Sequence, residues 1–113
     1  MKKKIVFGFL ALFLIVGSFL YAQDNAKLKS GVYQLSGYSA ELVLTSRGIL
    51  LLRQDGQITR RGHWEQIDNR ISVRWDDKYF EAWLVAKSDV FYDTEGNTWF
   101  WVRNVRDSDL GIR

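Results

Sequence analysis

Between Gly31 and Asn104 the chain changes direction every few residues. Short apolar or alternating runs are separated by turn residues, and nothing longer than about ten residues carries a 3.6-residue period. That pattern excludes a helical bundle and demands strands. Eight runs emerge: Val32–Ser36, Ala40–Thr45, Ile49–Gln54, Gln57–Ile67, Arg70–Trp75, Lys78–Ala86, Val90–Asp93 and Thr98–Asn104. The joints are short. Asp55-Gly56 is the strongest hairpin signal, because a type I′ turn needs positive φ at both central residues. Ser46-Arg47-Gly48, Asp68-Asn69, Asp76-Asp77 and Thr94–Asn97 mark the other turns, and Gly62 marks a bend or bulge within the fourth run. Consecutive hairpins give an up-and-down antiparallel meander, and closure is what removes its unpaired edges. The expected fold is therefore all-β: about eight short strands in a closed or nearly closed barrel.

Alternation assigns faces. Ile71, Val73 and Trp75 oppose Arg70, Ser72 and Arg74, while Phe80, Ala82, Leu84 and Ala86 oppose Tyr79, Glu81, Trp83 and Val85. In the last run Trp99 and Trp101 face one way, Phe100 and Val102 the other. Ile49–Leu52 is apolar on both faces and needs cover on both. More apolar faces exist than one small core requires.

The chain has 113 residues and neither Cys nor Pro, so one domain must hold by its core without disulfides or thiolate metal sites. Met1-Lys2-Lys3-Lys4 precedes an apolar run from Ile5 to Ala22. A basic start, an apolar centre and a small final residue read as a signal helix over residues 1–22, with an uncleaved membrane anchor as the alternative. Residues 23–30 are a polar leader, 31–104 the barrel, and 105–113 a frayed tail. Residues 1–22 hold three lysines and no acid, so the remainder has 13 basic and 13 acidic residues. The apparent basicity belongs to the targeting segment and does not argue for nucleic acid, even with Arg60, Arg61, Arg70 and Arg74 near aromatics. The expected location is secreted or periplasmic, with membrane contact only through an uncleaved N-terminal segment. A membrane-spanning barrel is set aside, because most runs fall short of the 9–11 residues needed and Arg74 and Glu81 interrupt them.

Several residues resemble the short lipocalin-like β-meanders of exported bacterial proteins: Gly31-x-Tyr33, Leu42-x-Leu44, Asp55-Gly56, Gly62-x-Trp64, Ile71-x-Val73, and the hairpin Val90–Asn97 leading to Trp99 and Arg103. The resemblance covers most of residues 31–104. It implies that Trp64 packs across one barrel end with Arg103 as its basic partner. The chain is shorter than a full lipocalin and has no room for the helix after the barrel, so a cavity would be small or absent.

No constellation points to catalysis or metal. His63, the only histidine, has no recognisable nucleophile beside it and reads as a rim residue. Asp93-x-Glu95-x-Asn97 places Gly96 fourth and Asn104 twelfth, which misses the calcium-loop pattern. Asp76-Asp77 reads as a turn. Glu81 reads as outward on a mixed face, with an inward polar anchor as the alternative. All five tryptophans lie in residues 64–101. Filling the barrel is the favoured role, and an exposed binding patch the second. The expectation is a non-catalytic binding module without cofactor or metal, taking a small apolar ligand or an envelope or extracellular protein through Tyr79, Trp83, Trp99 and Trp101. The alternative is an inhibitor of a hydrolase acting through the Asp93–Asn97 loop or the tail.

Overall fold

A computed structural model describes residues 26–111. Residues 1–22, expected from sequence to be a signal segment, fall outside them. Eight strands follow one another: β1 (Gly31–Leu35), β2 (Ala40–Leu44), β3 (Ile49–Gln54), β4 (Gln57–Ile67), β5 (Arg70–Trp75), β6 (Phe80–Lys87), β7 (Val90–Tyr92) and β8 (Thr98–Arg103). Each pairs antiparallel with the next, and β8 returns to β1, closing the barrel. The meander and its closure are as the turn spacing requires.

Local chemistry sets the register. Asp55 and Gly56 have φ of 53° and 81°, which gives the β3–β4 hairpin the twist its strands need. Gly62 lies opposite Trp75 in regular register, and no bulge occurs there. A Cβ at Gly62 would stand 2.4 Å from the Arg74 carbonyl oxygen, so this glycine serves the close approach of β4 to β5.

Inward residues form one core: Tyr33, Leu42, Leu44, Leu50, Ile71, Val73, Trp75, Trp83, Val85, Phe91 and Trp99 are all buried. Eight strands enclose a space that side chains can fill, and here aromatics fill it. Phe91 lies stacked between Trp83 and Trp99, both planes within 8° of its own, at centroid distances of 5.1 and 6.1 Å.

The two ends differ. At the closed end the described part of the polar leader is held against the barrel. Leu28 is buried against the core, its amide donates to Gln66 Oε1 at 2.7 Å, and the Lys29 amide donates to the Ser88 carbonyl. Tyr33 Oη donates to the Lys29 carbonyl at 2.6 Å, and burial pushes its pKa well above the ordinary tyrosine value, with Asp89 adding to the rise. The other end, ringed by the β1–β2, β3–β4, β5–β6 and β7–β8 connections, is open.

The tail corrects a second expectation. Arg106–Leu110 is not frayed. Asp107–Leu110 forms a 3-10 turn, and Val105 and Leu110 pack on Val32, Val43 and Leu51 outside the barrel. This small second cluster covers the outer face of the Ile49–Leu52 run at Leu51. Asp109, almost fully buried, accepts from both guanidinium nitrogens of Arg103 at 2.6 Å, from Arg53 at 2.7 Å and from the Arg106 amide at 2.7 Å. The bond from Arg103 foremost holds its carboxyl at about 2, below the ordinary 3.8, against the opposing effect of burial.

Candidate functional site

All five indoles point into the barrel, and every indole N–H has an acceptor. Trp64 donates to the Thr45 carbonyl at 3.0 Å and Trp101 to the Ser30 carbonyl at 3.2 Å, both toward the closed end. The other three converge on the mouth. Trp75 donates to Glu81 Oε1 at 3.1 Å, Trp83 to Glu81 Oε2 at 2.7 Å, and Trp99 to Asp93 Oδ2 at 3.0 Å. The outward reading of Glu81 is thus overturned. Two residues before Trp83 on one strand, it shares that residue's inward face, and buried indole donors need an acceptor. Charge-assisted bonds of this kind contribute roughly 1.5–3 kcal/mol each.

Asp93 is held just as firmly. Its Oδ1 accepts the Glu95 and Asn97 amides at 2.9 Å each, and the Asn97 side-chain amide donates to Oδ2 at 3.1 Å. The segment read as a failed calcium loop is therefore a self-bonded turn that aims one carboxylate over Trp99. Among the described residues no cluster of three or more His, Cys, Asp or Glu is placed to hold a metal ion.

These groups rim a cavity of about 260 Å³, lined by Leu35, Leu42, Arg60, Trp75, Glu81 and Asp93 among others. Glu95 also faces it. Arg60 lies across one side, its guanidinium 4.2 Å from the Trp75 ring centroid, and bonds both Asp77 oxygens at 3.0 and 3.1 Å. Asp77 thereby balances Arg60. Among the described residues, Glu81, Asp93 and Glu95 have no ion-pair partner. The mouth is anionic, walled by aromatic edges and already organised.

Of the residues expected to contact a ligand, Trp83 and Trp99 line this mouth. Tyr79 is exposed and is not among the residues lining it; Arg60 lies 5.6 Å from its ring. Trp101 lies away from the mouth, under Lys29 at 4.8 Å. Trp64 packs against the core near the closed end, while Arg103 lies on the outside bound to Asp109. His63 is exposed on β4 with Asp76 at 3.9 Å. Reading the residues singly missed Glu81 and Asp93 as a pair. The usable signal was the i, i+2 spacing of Glu81 and Trp83 on one strand face.

No tryptophan supplies an exposed patch. The bare apolar surface is elsewhere, on the outer face of β6–β8, where Phe80, Leu84, Tyr92, Phe100 and Val102 are 39–57% exposed. Compared with protein-family models, curated proteins and solved structures, the chain matches none.

Proposed function

We propose that this chain is an exported, non-catalytic binding module of the lipocalin-like kind, which takes a small ligand bearing an amine or guanidinium in its barrel mouth. The observation that carries this reading is the pair Glu81 and Asp93. Three buried indoles and a self-bonded turn hold two carboxylates at an open cavity; neither is ion-paired among the described residues, and Arg60, the cation lining the same cavity, is paired with Asp77. The stacked Trp83–Phe91–Trp99 array fills the interior, so a wholly apolar cargo has little space. A cavity of about 260 Å³ lies just under the roughly 300–1,000 Å³ of ordinary ligand pockets, which fits a small molecule or a ligand's charged end. Export rests on the sequence of residues 1–22.

The inhibitor reading loses one of its two levers, because the tail is docked by Asp109. The Asp93–Asn97 loop would remain to insert.

Native mass spectrometry of protein released from the envelope fraction of expressing cells tests the proposal. The expected result is a chain beginning at Gln23 that carries the extra non-covalent mass of a basic small molecule. A chain found only in the cytosol would end the export reading. A bare chain that also takes up no added amine or guanidine would end the ligand reading.

A further inference from the structure

The barrel treats its outer apolar residues in two ways. On β1–β3, Val32, Val43 and Leu51 are covered by the chain's own tail. On β6–β8 an equally apolar outer surface is bare. The register makes it continuous. Arg74 pairs with Phe80, and Ser72 with Ala82. Arg70, Leu84 and Tyr92 form a row across three strands, and Lys87, Val90 and Phe100 form another. Val102 extends the surface on β8, at 45% exposure.

The charge of this face is one-sided. The outward residues of β5–β8 include Arg70, Arg74 and Lys87 and no carboxylate. Among the described residues none of these three cations has an ion-pair partner. Elsewhere Arg53, Arg60 and Arg103 are each paired with an acid, while Arg47, Arg61 and Lys78, like these three, have no ion-pair partner among the described residues. An aromatic and aliphatic centre flanked by unpaired arginines and a lysine suits the boundary between lipid headgroups and acyl chains. Apolar rings enter there, and long cationic side chains reach the phosphates.

The course of the chain agrees. The leader joins the described structure at Ala26, whose carbonyl accepts from the Gln66 side chain. The neighbour of Gln66 is Ile67, 57% exposed and paired in register with Arg70 at the edge of this face. The described chain therefore begins at the end of β4 that borders this face.

We propose that the outer face of β5–β8 rests on an anionic lipid bilayer, with Phe80, Leu84, Tyr92 and Phe100 inserted among headgroups and Arg70, Arg74 and Lys87 on lipid phosphates. The barrel does not span the bilayer. It lies sideways, which leaves the mouth open to solvent.

The whole barrel and both hydrophobic clusters lie within residues 26–111, so a chain beginning at Gln23 keeps every contact described and is free of the apolar segment. That chain is sedimented with vesicles of phosphatidylcholine alone and of phosphatidylcholine with phosphatidylglycerol. Binding to the anionic vesicles alone, weakened by salt, is expected. Arg70→Gln with Arg74→Gln weakens it roughly 30-fold, two surface cations lost, and Phe80→Ser with Leu84→Ser abolishes it. Arg47→Gln, in the β2–β3 turn away from this face, leaves it unchanged. Circular dichroism confirms that each variant is folded. No sedimentation with anionic vesicles, or binding that survives both double variants, overturns the proposal. So does a dimer that the Phe80→Ser, Leu84→Ser chain fails to form, since a second copy would then own the face.

Discussion

Replacing Asp109 by Asn keeps the side chain's shape and removes its charge. In the native chain that carboxylate receives two bonds from Arg103, one from Arg53 and one from the Arg106 amide. Its folded pKa of about 2 lies below the 3.8 of a free carboxyl. At 1.36 kcal/mol per unit, the difference makes the ionised group worth roughly 2.5 kcal/mol to the fold. Because the folded value is depressed, this stabilisation is present above pH 3.8 and is lost as pH falls through about 2. Small domains are stable by only about 5–15 kcal/mol, so the loss is a large fraction of the whole. With a urea slope of about 1–3 kcal/mol per molar, Asp109→Asn lowers the unfolding midpoint by about 0.8–2.5 M at neutral pH. Urea titrations of both chains across acid pH give the decisive comparison. The stability gap is widest at neutral pH, narrows below pH 4 and closes near pH 2. A gap that is small at neutral pH, or constant with pH, would show that the tail is held by Val105 and Leu110 alone and that the ionised Asp109 contributes nothing.

Other outcomes follow from the same contacts. Gly62→Ala forces a Cβ to within 2.4 Å of the Arg74 carbonyl oxygen. It should cost about 2 kcal/mol, or roughly 10 °C in thermal midpoint for a domain this small. Phe91→Ala removes the middle ring of the aromatic stack and should cost about 3–5 kcal/mol in denaturant unfolding. In an alkaline titration followed by tyrosinate absorbance, the raised pKa of Tyr33 keeps it protonated above the ordinary tyrosine range. The stability held by its neutral form is complete below pH 10 and falls as pH rises further, so its ionisation should coincide with unfolding.

The barrel was legible because its signals are local. Alternation within Arg70–Trp75 and Phe80–Lys87 assigns faces, and Asp55-Gly56 dictates a turn whatever surrounds it. Parity alone puts Trp83 with Glu81 on one face and Phe80 with Leu84 on the other; which face is inward it leaves open. What escaped depends on partners far away in sequence. Leu28 is one apolar residue in a polar leader, and only the barrel's closed end shows why it is buried. Asp109 sits in an unremarkable Asp-Ser-Asp-Leu run, and its value lies in Arg53, 56 residues away, and in Arg103. Glu81 was ambiguous because a carboxylate on an apolar face is outward by default. Two indole donors, one of them from β5, reverse that default.

The central claim is that the mouth binds a cation through carboxylates held by Trp75, Trp83 and Trp99. The most direct measurement is a nitrogen–proton correlation spectrum of the five indole N–H groups during titration with benzylamine, with benzyl alcohol as the neutral control. The account predicts that benzylamine moves the signals of Trp75, Trp83 and Trp99, bonded to Glu81 and Asp93, and leaves Trp64 and Trp101, bonded to backbone carbonyls, in place. Benzyl alcohol moves none, and Glu81→Gln suppresses the response. Equal shifts with both ligands, shifts confined to Trp64 and Trp101, or no shifts at all would contradict it.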